Sequence, residues 1–108
     1  MERTLDLTTI LQQEVLWYHQ ATSQNGQTLY FEDINAGRFI VVFIPDYHAM
    51  RPQKPGVIVS AKRINDIIVI DADTTDHPLH EALMQAGIPR EKIILAYSGE
   101  KLPTPQGE

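Results

Sequence analysis

Asp71-Ala72-Asp73-Thr74-Thr75 follows directly on four β-branched residues, Ile67-Ile68-Val69-Ile70. Two aspartates one residue apart at the end of a buried strand can do phosphoryl chemistry. The first attacks phosphorus, the second handles protons, and both help to hold Mg²⁺. His77 and His80 lie three apart a few residues on. Side chains at i and i+3 share a helix face, so two imidazoles together with Asp71 or Asp73 could converge on a divalent cation. That set defines one reading, a small metal-dependent phosphohydrolase. The competing reading needs no chemistry, because carboxylates just before a helix cap its free N–H groups and favour its dipole.

The rest of a phosphatase is not legible. The string matches the nucleophile motif of haloacid dehalogenase phosphatases, but those enzymes need a larger doubly wound sheet, a downstream basic residue and a further acidic pair. Beyond Thr75 the chain holds no aspartate except Asp76, and no acidic pair. No serine stands in a nucleophile elbow and no glycine-rich phosphate loop is present. With no cysteine, a thiolate metal site and a disulfide are both ruled out. His19 and His48 have no partner evident in the sequence. The expectation is therefore no catalytic residue and no cofactor.

Charge is the next signal. Nine Lys and Arg against fourteen Asp and Glu give a net charge of −5, which disfavours a protein whose affinity comes from nucleic-acid phosphates. Arg51, Lys54, Lys62 and Arg63 form a basic island with no carboxylate between Asp46 and Asp66, whereas Asp66 to Glu81 carries five acids and no base. Such a bipolar chain can offer complementary patches to partners or to its own copies. The start of the chain lacks the apolar core of a signal peptide, and no run approaches a membrane span, so a cytoplasmic location is expected.

The elements that must position these groups follow from periodicity. Leu7, Ile10, Leu11, Val15, Trp17 and Tyr18 share one broad side of a helix over about residues 5 to 22. Thr28–Phe31, Phe39–Ile44, Val57–Val59 and Ile67–Ile70 read as strands, with a hairpin turn at Asn35-Ala36-Gly37 and a tight turn at Ile64-Asn65-Asp66. Pro78 starts a second helix, capped by Thr75 or Asp76, with Leu79, Ala82, Leu83 and Ala86 as its apolar stripe. Gly87 stops it, Ile88 folds back, and Ile93–Tyr97 is a last strand parallel to the one before the helix. The expected fold is a single two-layer α+β domain over 1–108, in the order α-β-β-β-β-α-β. It has one mostly antiparallel sheet of about five strands with two helices on one face. Residues 98–108 read as an extended or disordered tail.

Two helices shelter only one face of that sheet. Phe39–Ile44 and Ile67–Ile70 are nevertheless apolar at both parities, unlike strands with one face in water. Another copy, or another protein, is expected to cover the rest, with a homo-oligomer the expected assembly and Phe39, Val41, Phe43, Ile68 and Ile70 assigned to the interface. The competing reading has residues 45–56 and the tail cover it.

The acidic turn Asp73-Thr74-Thr75-Asp76, the helix Glu81-Ala82-Leu83-Met84-Gln85-Ala86 and the string Gly87-Ile88-Pro89-Arg90-Glu91-Lys92-Ile93-Ile94-Leu95-Ala96-Tyr97 resemble the XisI family, the fdxN element excision controlling factors of cyanobacteria. The element order fits over about residues 7 to 100. The chain looks like a divergent member, with Ile44-Pro45 where the family usually has a glycine-tryptophan pair. The resemblance implies a non-catalytic accessory protein that acts with XisH, an endonuclease-like partner, in controlling recombinase-driven excision of a DNA element. It supplies no catalytic residues.

Overall fold

The first apolar stripe forms α1 (Leu7–His19) in the computed structural model, which describes residues 6–19, 26–46 and 54–102. Asp6 opens the helix: its Oδ1 accepts the Thr8 N–H at 3.1 Å, and its Oδ2 accepts the Thr9 hydroxyl at 2.6 Å. Leu11, Val15 and Tyr18 are buried. Trp17, expected with them, is half exposed at 50%, because it lies about 100° round the helix from Tyr18.

Four antiparallel strands follow: β1 (Gly26–Asp33), β2 (Arg38–Pro45), β3 (Gly56–Ile64) and β4 (Ile67–Asp73). Each is longer than its apolar run alone suggests, since ladder hydrogen bonds extend into the flanking polar residues. The β1–β2 turn needs a residue at positive φ, supplied by Gly37 (φ 71°). A Cβ there would lie 2.9 Å from the Arg63 carbonyl oxygen. Asn65, at φ 55°, turns the chain between β3 and β4.

Two bulges interrupt the antiparallel ladders. Val41 pairs with Val59 and Val42 with Val57, leaving Ile58 as an extra residue in β3. Ser60 pairs with Ala72 and Ala61 with Ile70, leaving Asp71 extra in β4.

The chain then crosses through α2 (Leu79–Gln85) to the short β5 (Ile93–Leu95), which pairs in parallel with β4 through Ile68↔Ile93 and Ile70↔Leu95. Helix α2 ends as its sequence dictates. Gly87 takes φ 109°, its N–H donates to the Met84 carbonyl at 3.0 Å, and the Ile88 N–H reaches back to the Leu83 carbonyl at 3.1 Å. The start differs from the expected Thr75 or Asp76 cap. Asp73 Oδ2 accepts the Leu79 N–H at 2.7 Å from six residues upstream. The last strand also stops at Leu95, and Ala96–Ser98 turn as a 3₁₀ segment.

The sheet order is β1-β2-β3-β4-β5. The core lies between its one face and the two helices, and is made of Leu11, Val15 and Tyr18 from α1, Leu79 and Leu83 from α2, Ile88, and Phe39, Val41, Val59, Ala61, Ile68, Ile70 and Ile93 from the strands. Burying each large aliphatic side chain here contributes about 2 kcal/mol. The expected two-layer α+β architecture and element order are those observed. Of the expected tail, Glu100 is tied to Arg90 at 2.6 Å and to the Leu95 N–H at 2.8 Å, while residues from Pro103 onward lie outside the described residues.

Candidate functional site

Alternation along each strand sorts the side chains cleanly. Residues whose neighbours fill the core point the other way, onto the face with no helix: Leu29 and Phe31 from β1, Ile40, Val42 and Ile44 from β2, Val57 from β3, Ile67 and Val69 from β4, and Ile94 from β5. Phe31 is 55% exposed and Val57 41%. Ile40, Val42 and Ile44 are half-buried.

A polar group sits within this apolar surface. Arg38 Nη1 donates to Asp71 Oδ2 at 2.6 Å and to Ser60 Oγ at 2.9 Å, tying β2, β3 and β4 together. Both ends of the ion pair remain partly open, at 31% and 40%, so as a surface pair it adds at most about 1 kcal/mol. Lys62 belongs to the same face, beside Arg38 across the ladder. The surface therefore carries both signs of charge inside an apolar surround.

This changes the expected interface. Phe39, Val41, Ile68 and Ile70 are fully buried under the helices, so none of them is available to a partner. Phe43 shares their side of β2 but is only half-buried, with its ring against the space a Gly26 side chain would fill. The outward set is shifted by one residue. In runs apolar at both parities, nothing in the sequence says which parity faces the helices.

The expected metal and phosphatase residues are separated. In a regular strand Asp71 and Asp73 would point the same way, but the bulge at Asp71 puts it on the open face beside Arg38 and turns Asp73 toward α2. There Asp73 Oδ1 accepts the Thr75 N–H at 3.0 Å and the Thr75 hydroxyl at 2.7 Å, while Oδ2 holds the Leu79 N–H. Asp73 caps a helix and Asp71 pairs with an arginine. His77 lies edge-on to Trp17, with ring centroids 5.6 Å apart. His80 sits in α2 with its Nδ1 buried and without a hydrogen-bond partner among the described residues. Among the described residues no group of three or more His, Asp or Glu is placed to hold a metal.

The basic island is divided too. Lys62 points to the open face, whereas Arg63, its neighbour in β3, points to the helix side. There its Nη1 donates to the Thr8 hydroxyl at 2.8 Å and its Nε to the Asn65 carbonyl at 2.6 Å. Lys54 is exposed ahead of β3. Arg51 lies outside the described residues, as does His48. His19 Nδ1 meets the Thr28 hydroxyl at 3.1 Å.

The family profile described as XisI protein matches residues 1–104. The chain belongs to the XisI family. Its membership makes it one of a group of regulatory, non-catalytic proteins. Among solved structures it is similar to a XisI-like protein from Anabaena variabilis ATCC 29413, with a TM-score of 0.72 at 15% identity over 82% of each chain. It is also similar to the fdxN element excision controlling factor XisI of the same strain, with a TM-score of 0.69 at 18% identity over 84% of this chain and 83% of that one. At such identities the likeness establishes the shared XisI fold. No curated protein matches the chain. Among the described residues no helix is long and apolar enough to cross a membrane.

Proposed function

We propose that this XisI-family protein is an accessory factor that controls recombinase-driven excision of a DNA element, and that it works through protein contacts. The helix-free face of the sheet is the contact surface on which it assembles, and its occupant is a second copy of the chain. The observation that carries this reading is the apolar surface around Arg38 and Asp71, which the helices leave uncovered. An isologous pair brings a patch against itself, so the patch must be self-complementary. A surface with Arg38 and Lys62 beside Asp71 meets that condition, where a surface of one sign would repel its own copy. The remaining surface is then free for an XisH-like partner of endonuclease fold, the partner that the family resemblance implies.

The phosphohydrolase alternative needs Asp71 and Asp73 on one ligand, and the bulge at Asp71 sends them to opposite sides of the sheet. Isothermal titration of the protein with Mg²⁺ is expected to give no binding heat, and a saturable site abolished by Asp71→Asn would restore the alternative. Assembly is tested by sedimentation at micromolar concentration, where a dimer is expected, and by pull-down from the native host, where an XisH-like protein is expected. A monomer would remove the second copy from the sheet face, and failure to capture such a partner would remove the accessory role.

A further inference from the structure

On the opposite side of the molecule from that sheet face, α1 and the turn before α2 border a half-open cavity of about 180 Å³ lined, among the described residues, by Glu14, Trp17, Tyr18, His77 and Ala82. Glu14, Trp17 and Tyr18 converge because residues three and four apart on a helix are neighbours. The rings stand at right angles to one another: Trp17 lies 5.1 Å from Tyr18 at 90°, and 5.6 Å from His77 at 81°. The Tyr18 hydroxyl donates to the His77 carbonyl and so fixes the turn against α1. Trp17 is half exposed, and Glu14 is half-buried with neither a hydrogen bond nor an ion pair among the described residues.

We infer that this cavity is a receptor for one cationic side chain, an arginine or lysine presented by a partner protein. Three observations converge on that occupant. The walls are aromatic rings, whose faces attract a cation, tryptophan most strongly. Among the described residues the one charged group in the lining is the carboxylate of Glu14, which has no counter-ion there. The volume is below the roughly 300–1,000 Å³ of pockets that hold cofactors or drug-sized ligands, so it suits a side-chain tip. The field agrees: the charges of Asp73 and Glu14 both act, after burial, to hold the Tyr18 phenol protonated. The inference does not depend on what covers the sheet face.

The chain's only tryptophan lines this cavity, so its fluorescence reports on occupancy directly. The probes are N-acetyl-arginine amide and its neutral isostere, N-acetyl-citrulline amide, at matched ionic strength. The arginine probe is expected to change Trp17 emission saturably with a Kd on the order of 1–10 mM, and the citrulline probe is not. Glu14→Gln, at a side chain that bonds to none of the described residues, keeps the fold by circular dichroism and weakens arginine binding at least about threefold. NMR shift changes at the Trp17 indole N–H and the Ala82 amide locate the probe independently of quenching. Equal titration by the citrulline probe, undiminished binding to Glu14→Gln, or no saturable response to the arginine probe would each overturn the inference.

Discussion

Asp71 and Asp73 have the same side chain two positions apart and are expected to answer mutation differently. Asp73→Ala removes the acceptor that starts α2 and the anchor of Thr75, costing about 1–2 kcal/mol. For a domain of this size that lowers the thermal midpoint by about 4–8 °C per kcal/mol. Asp71→Ala breaks only a partly solvated ion pair and costs under about 1 kcal/mol. Paired thermal melts check the order, and equal losses would contradict it. The sequence marks both acids as important but cannot separate them, because a bulge depends on how β4 registers against β3 and leaves no local signature. Tyr18 supplies a second residue-level test. Burial first, and the charge of Asp73 next, raise its pKa from 10.0 to about 12. The folded state thus favours the neutral phenol, whose contribution is complete below pH 10.0 and is lost as pH rises through about 12. Tyr18→Phe is expected to lose about 1 kcal/mol at neutral pH with the bond to the His77 carbonyl. Its urea midpoint then falls less steeply than wild type above pH 10.0. An unchanged alkaline slope would contradict this assignment.

Helix α2 shows which element signals are legible in a sequence. Its end is readable, since Gly87, Ile88 and Pro89 spell a left-handed stop and the chain closes through the Gly87 and Ile88 N–H groups. Gly87→Ala is expected to cost about 1 kcal/mol or more, because alanine must adopt φ 109°. Leu83→Ala, which opens a cavity where α2 meets the sheet, costs about 2–5 kcal/mol. Chemical denaturation ranks the two, and a milder loss at Leu83 would mean that α2 packs less closely than its burial indicates. The start of α2 is not readable, because its cap is Asp73 six residues upstream and not the adjacent Thr75 or Asp76. In α1 the stripe is legible through Leu11, Val15 and Tyr18, but Trp17 escapes it. An indole is apolar enough to pass for core, and only the packing of α2 leaves it at a cavity rim.

At the scale of the whole molecule, the five strands and two helices of the described residues make a layer whose helices shelter one side only. The imbalance is visible in the sequence, because β2 and β4 are apolar at both parities, yet nothing there says which parity faces inward. Val41 and Val42 therefore provide a matched pair, one in the core and one half-buried on the open face. Sedimentation velocity on wild type, Val41→Ala and Val42→Glu at micromolar concentration tests the claim most directly. A dimer is predicted for wild type and for a destabilised but folded Val41→Ala, whereas Val42→Glu runs as a folded monomer because a carboxylate buried without a partner opposes association. A Val42→Glu dimer as stable as wild type, or a wild-type monomer, would contradict the account.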